Sequence, residues 1–91
     1  MKITWKAPER QRHGELTSRS DLPDEIFAFP EKRKEPLTDA DHVRNALARF
    51  DQVQDVTDAE RDLAFANIVK AAKHFEVDVE ETSWRQLGKP Q

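Results

Sequence analysis

Apolar residues recur at the spacing of an α-helix in two stretches of the second half of the chain. In the first stretch, positions i, i+3, i+4 and i+7 are occupied by Val43, Ala46, Leu47 and Phe50. A wider stripe follows, made of Ala64, Phe65, Ile68, Ala71, Ala72 and Phe75. Both patterns are typical of helices with one buried face. They predict helices at about Asp39–Phe50 and Asp58–Phe75, packed antiparallel because the connection between them is short.

Polar residues ahead of each stripe predict where the helices begin. Thr57 and Glu60 have the spacing of a capping box, in which a hydroxyl and a carboxylate satisfy backbone N–H groups of the first turn. Thr38 and Asp41 have the same spacing, but aspartate is the shorter partner and Asp39 can also act as the cap. We therefore expect the cap at Thr57 to be the stronger of the two.

The segments outside the helices carry weaker patterns. Residues 1–19 predict an extended or disordered arm ahead of a single small domain, residues 20–91. We expect Trp5 to fold back onto that domain, the alternative being contact with a partner. The alternating aromatics of Phe27–Phe29 predict extended backbone. Glu81–Gly88 predicts a short C-terminal helix, because glycine suits the position after a helix end.

These elements together predict a mainly α fold. An antiparallel helical pair carries a short C-terminal helix and is crossed by an extended N-terminal arm. Hydrophobic residues make up 36% of the chain, so the core is expected to be small. The predicted core consists of Ile26, Phe27, Phe29, Val43, Ala46, Leu47, Phe50, Ala64, Phe65, Ile68, Ala72, Phe75, Trp84 and Leu87.

Composition narrows the class of protein. The chain has no cysteine, hence neither disulfides nor thiol chemistry, which favours a cytoplasmic location. No apolar run approaches the length of a membrane span. The net charge is −3, but it is unevenly distributed. Residues 1–36 hold eight Lys/Arg and seven Asp/Glu, whereas residues 37–91 hold seven and eleven, so a mildly basic arm precedes an acidic body.

Motifs that would support catalysis or metal binding are missing from the sequence. There is no metalloprotease motif, no glycine-rich phosphate loop and no nucleophile elbow. His42 lies near Asp39 and Asp41, but those aspartates are expected to cap the helix, and metal sites usually need three or four ligands. We therefore predict no catalytic, cofactor-binding or metal-binding residues, and no enzyme.

Basic residues around the first helix raise the possibility of nucleic-acid binding. They are Lys32, Arg33, Lys34, Arg44 and Arg49. Helix–turn–helix proteins place a basic second helix in the major groove, whereas the second helix here opens with acidic residues. Arg44 and Arg49 also lie about 140° apart on the helical wheel, so they flank the apolar face and do not form one stripe.

Polar and apolar residues on the outer helix faces point instead to a protein partner. Asn45 lies opposite the core face, where asparagine has poor helix propensity unless something recruits it, and a bond to Asp41 or Arg49 is the simpler explanation. A stripe away from the main core of the second helix consists of Leu63, Asn67, Lys70 and His74. We expect the arm to cover Leu63, the alternative being a partner patch.

One stretch of the chain carries a family resemblance. Arg33–Leu37, with its basic pair and proline, is followed by His42–Phe50, which reads HVRNALARF. This pattern resembles a family of small uncharacterised proteins of bacteria and their phages. The resemblance extends from Ser20–Pro23 to Trp84–Gly88 and implies a domain of unknown function, without an activity.

The function expected from the sequence is that of a non-enzymatic protein-interaction module. The alternative is a nucleic-acid-associated protein that uses the basic cluster before the first helix. Candidate partner-binding residues are Lys32, Arg33, Lys34, Arg44, Asn45 and Arg49.

Overall fold

Two helices and a two-stranded hairpin make up the regular structure of the chain. The computed structural model describes residues 2–7 and 22–87. The strands and helices, in chain order, are β1 (Phe27–Phe29), β2 (Lys34–Pro36), α1 (Ala40–Arg49) and α2 (Asp58–His74). Single 3₁₀ turns occur at Asp24–Ile26, Phe50–Gln52 and Trp84–Gln86.

The prediction of a mainly α fold is wrong, because β1 and β2 pair as an antiparallel sheet. Phe27 lies opposite Pro36 and Phe29 lies opposite Lys34, so the structure is a small α/β domain. The extended backbone at Phe27–Phe29 was predicted, but its partner strand was not. Strands of three residues are too short for a periodic signal, and Lys34–Pro36 is half-buried without an apolar side. The predicted C-terminal helix is also wrong, since a single 3₁₀ turn takes its place.

The helix starts confirm one predicted cap and correct the other. At α2, the Glu60 N–H donates to the Thr57 hydroxyl over 3.1 Å, and the Thr57 N–H donates to the Glu60 carboxylate over 2.9 Å. At α1 the cap is Asp39, not Thr38: its carboxylate accepts from the His42 N–H over 2.8 Å. Asp39 stands immediately before the first helical residue, where a short oxygen-bearing side chain reaches the N–H three residues on.

Thr57→Ala is therefore expected to lower the melting temperature more than Thr38→Ala. Loss of a threonine cap costs about 0.5–2 kcal/mol, whereas Thr38 does not cap a helix in this structure. Thermal unfolding followed by circular dichroism measures both variants, and Asp39→Ala serves as the positive control for α1. Equal melting temperatures for the two threonine variants would show that the capping box contributes little.

The core lies between α1, α2 and the hairpin. Of the predicted core, Leu47, Phe75 and Trp84 are only half-buried, and the rest is buried. The structure adds buried residues that were not in the predicted core, namely Leu22, Ala28, Leu37, Asn67 and Ala71, of which only Ala71 belonged to a predicted stripe. A small cluster of Leu22, Ile26 and Phe27 stands apart from the main core. Phe50 contacts Phe29, Phe65 and Trp84 through its ring, so it joins the hairpin to both helices and the C-terminal turn.

Residues 2–7 pack against α2 and confirm that Trp5 folds back. The Trp5 side chain is 1% exposed, with its ring centroid 5.7 Å from that of His74 and 6.0 Å from that of Phe75. Its indole N–H donates to the Leu37 carbonyl over 3.2 Å. The predicted boundary between arm and domain, at residues 19 and 20, lies outside the described residues and stays a prediction.

Candidate protein-binding surface

Four of the six predicted binding residues meet in one open depression of about 650 Å³. This basic depression is lined by Lys32–Glu35 of the hairpin, Arg49 of α1 and Gln52–Asp55 of the loop after it. Arg44 lies outside this depression. Asn45 is exposed on α1 and does not line it either. The structure thus brings the hairpin lysines and Arg49 together and separates them from Arg44.

Two lysines of the basic depression bridge the hairpin to the loop ahead of α2. The Lys32 ammonium donates to the Asp55 carbonyl over 2.7 Å, and the Lys34 ammonium donates to the Gln54 carbonyl over 2.9 Å. Lys32 also pairs with the Glu60 carboxylate at 3.3 Å. Lys32 and Lys34 therefore hold the hairpin and this loop together.

The backbone of the basic depression adopts unfavourable torsion angles. Arg33, Glu35 and Asp55 have φ values of 51°, 58° and 64°. A non-glycine residue in this left-handed region is disfavoured by about 1–2 kcal/mol. Within residues 2–7 and 22–87 only one other non-glycine residue has positive φ, Glu76 at 59°, which ends α2. Strained positions that persist in a fold concentrate where side chains serve a function.

The predicted arginines differ in how their charge is compensated. The Arg33 guanidinium pairs with the Asp24 carboxylate, donates to the Leu22 carbonyl over 2.9 Å and lies 4.7 Å above the Phe27 ring. Arg44 pairs with Asp41 over 3.0 Å.

Two cations of the basic depression keep an uncompensated charge. In the part of the chain that the structure describes, neither Lys34 nor Arg49 has a carboxylate within ion-pair distance. Both side chains line the depression, so their charges are available to a partner.

A second depression, of the same volume, borders the other side of α1. This acidic depression is lined by Arg44, Leu47 and Ala48 of α1 and by Glu76–Asp78, Glu81 and Leu87. Its carboxylates form no ion pair with any described residue. The acidic depression thus has one cation and three carboxylates, whereas the basic depression has four cations and two carboxylates. The two surfaces have opposite net charge.

Two cap carboxylates have lowered pKa values. The Thr57 N–H, followed by the Lys32 ammonium, holds the pKa of Glu60 below its ordinary value of 4.5. Partial burial raises the pKa of Asp39, but hydrogen bonds from the His42 N–H and ring outweigh it and lower the pKa below 3.8. Both carboxylates therefore favour the folded state in their ionised form.

Acid is expected to destabilise the fold partly through Glu60. Because its pKa is lower in the folded than in the unfolded state, its contribution is present above the unfolded pKa and is lost as pH falls through the folded one. Glu60→Gln should flatten the fall in stability below about pH 5. Urea unfolding across this pH range measures the difference. Glu80→Gln, at an exposed position, is the control, and an equally flattened profile for it would contradict the assignment.

Sequence reasoning missed the role of the Asn67 side chain, which makes four hydrogen bonds. Its Oδ1 accepts from the N–H groups of Thr4 and Trp5 at 3.0 and 2.8 Å, and its Nδ2 donates to the Thr4 hydroxyl and the Ala28 carbonyl at 3.0 Å each. Lys70 donates to the Trp5 carbonyl over 2.9 Å. Residues 2–7 therefore contact Asn67 and Lys70 of the predicted stripe. Leu63, which the arm was expected to cover, is half-buried. The available signal was an asparagine inside a long helix.

The residues considered for a metal site have a structural use. The Asp39 carboxylate accepts from the His42 N–H and lies 2.8 Å from the His42 Nδ1. No group of three potential metal ligands occurs among the described residues. Neither helix in those ranges is long and apolar enough to span a bilayer. The predictions of no metal, no cofactor and a cytoplasmic location stay predictions.

Comparison with known proteins places the chain in a family. A family model described as a family of unknown function (DUF6582) matches residues 6–82, well over half of the chain. The chain belongs to the DUF6582 family. No curated protein and no solved structure matches it. The matched range of this DUF6582 chain includes both strands, both helices and the basic depression, so the candidate surface lies within the family domain.

Proposed function

We propose that this DUF6582 domain is a non-enzymatic module that binds another protein. Its contact surface consists of the basic depression, the acidic depression and the exposed side of α1 between them. From the motif between Arg33 and Phe50, we also propose that the chain is one of the small proteins of bacteria and their phages. We propose that it acts in the cytoplasm.

The observation that carries the proposal is the cost built into the basic depression. Three strained residues line it, and two of its cations, Lys34 and Arg49, have no carboxylate partner among the described residues. The strain is unfavourable in the isolated domain. The two cations, which are solvated there by water and by the Gln54 carbonyl, can pair with a partner's carboxylates. Charged groups at such a surface contribute mainly specificity and association rate.

Nucleic acid is the less favoured partner. Arg33 and Arg44 already pair with carboxylates, and Glu35 and Asp55 line the same depression as Lys34 and Arg49. A polyphosphate chain would meet those carboxylates as well as the cations. Catalysis is also disfavoured, because an open depression does not exclude water from a reaction.

A comparative pull-down tests the proposal. The wild-type chain should capture a protein partner that K34E/R49E does not, and salt should release it. The control K2E/K6E makes the same change in charge at exposed positions of the N-terminal segment, and it should retain capture.

Nucleic acid in the eluate would support the alternative function, which is nucleic-acid binding through the basic cluster. Duplex DNA bound through five phosphate contacts would give a slope of about 4–5 in log affinity against log salt, since each contact contributes roughly 0.9. Capture of nucleic acid with such a slope, and of no protein, would overturn the proposal.

A further inference from the structure

We infer that the partner of this surface is a second copy of the chain, which docks through the same face about a two-fold axis. The inference rests on the proposed function and names the partner. In the resulting dimer, the basic depression of each copy faces the acidic depression of the other.

The position of the two depressions on α1 supports this arrangement. Arg49 lines the basic depression, whereas Arg44 and Ala48 line the acidic one. At about 100° per residue, Arg44 and Arg49 lie roughly 140° apart around the helix, with Asn45 and Ala48 between them. The exposed side of α1 therefore separates a basic surface from an acidic one.

A two-fold axis makes such a face complementary to itself. In a dimer of this symmetry, if residue i of one copy contacts residue j of the other, then j also contacts i. Lys34 and Arg49 would each find a carboxylate of the acidic depression, among Glu76, Asp78 and Glu81. The same contacts form twice, so both sets of uncompensated charge are neutralised in one event.

Two residues between the depressions, Asn45 and Ala48, suit a symmetry axis, whereas Asp41 on the same side of α1 already pairs with Arg44. A residue at the axis meets its own counterpart, so a charged side chain there would repel itself. Asn45 carries both a donor and an acceptor and can bond to another asparagine. Its side chain is exposed and has no hydrogen bond within the described ranges, although a bond to Asp41 or Arg49 was its simpler interpretation. Ala48 is also exposed, and its small side chain permits close approach of two helices.

A foreign acidic partner explains less of the surface. It would occupy the basic depression but leave the acidic depression, with its apolar floor of Leu47, Val77 and Leu87, without an occupant. A second copy supplies complementary charge to both depressions.

Sedimentation velocity over a range of protein concentrations tests the inference. The wild-type chain should form a dimer at low salt and dissociate as salt is raised, because the contacts are between exposed charges. K34E/R49E and D78K/E81K should each raise the dimer dissociation constant by at least about tenfold, since each reversed side chain turns an attractive pair into a repulsive one. K2E/K6E should leave the constant unchanged.

Mixing the two charge-reversed variants is the decisive step. In this mixture the reversed basic depression of one variant faces the reversed acidic depression of the other, and the two native depressions face each other. Both contacts are attractive, so an equimolar mixture should form a heterodimer although each variant alone dimerises weakly. Native mass spectrometry separates the species by mass. Asn45→Asp places two carboxylates at the axis and should weaken the wild-type dimer without disturbing the depressions.

Two results would overturn the inference. One is a wild-type chain that stays monomeric at low salt at every concentration; the other is a reversed variant that, on its own, dimerises as the wild type does. A monomeric chain that still captures a foreign protein through Lys34 and Arg49 would remove the inference and leave the proposed function intact. Circular dichroism confirms that each variant is folded.

Discussion

Asn67→Ala is expected to remove most of the stability of the fold. The substitution leaves the N–H groups of Thr4 and Trp5 and the Ala28 carbonyl without their partner in a site where Asn67 is 0% exposed. Each buried polar group left unpaired costs about 1–3 kcal/mol. Two or three such losses approach the roughly 3–5 kcal/mol that a core of this size supplies. Urea unfolding should show a transition at much lower denaturant, or none.

Asn45→Ala is the matched control for this experiment. It makes the same chemical change on the exposed side of α1, where no described residue bonds to the side chain. In salt that keeps the chain monomeric, so that a dimer contact at Asn45 plays no part, its effect should stay within about 0.5 kcal/mol, as is usual for surface substitutions. If the two variants unfolded at the same urea concentration, the network around Asn67 would contribute little to stability.

Trp5→Ala is expected to cost about 3–5 kcal/mol, the usual range for removing a large buried aromatic side chain. The substitution removes the ring from its contacts with His74 and Phe75 and leaves the Leu37 carbonyl without the indole donor. The free energy of unfolding from denaturant titration measures the loss.

Trp84→Ala provides the comparison. The Trp84 ring is half-buried, stacks on Phe50 at 6.1 Å and donates to the Asp62 carboxylate over 2.7 Å. Because less of its surface leaves water on folding, its removal should cost less than that of Trp5. The reverse order would mean that residues 2–7 are only loosely attached to the domain.

Local sequence signals were sufficient for the helices. The stripe from Ala64 to Phe75 and the capping box at Thr57 depend on residues within one or two turns of each other, and both occur as predicted. Asp39 replaced Thr38 as the cap of α1 because two oxygen-bearing side chains compete at neighbouring positions. The pairing of β2 with β1 was missed because it depends on a turn of four residues between strands too short to show a pattern.

Non-local contacts set the limit of prediction. The propensity argument that singled out Asn45 applies equally to Asn67, and only the tertiary fold shows that the second is bonded four times. The charges of Lys32 and Lys34 were evident, but their carbonyl partners lie 23 and 20 residues away. A run of basic residues in the sequence shows that cations are present. Whether their side chains are hydrogen-bonded depends on how the hairpin packs against the loop ahead of α2.

The bond from the Trp5 N–H to Asn67 spans 62 residues of sequence, which has a consequence for biosynthesis. During translation, Trp5 leaves the ribosome long before the residue that holds it has been made. Contacts between such distant residues form only after the entropy of closing a large loop has been overcome. Docking of residues 2–7 is therefore expected late in folding, after α2 has formed. Until then a nascent chain displays an exposed tryptophan, the kind of apolar surface that chaperones bind.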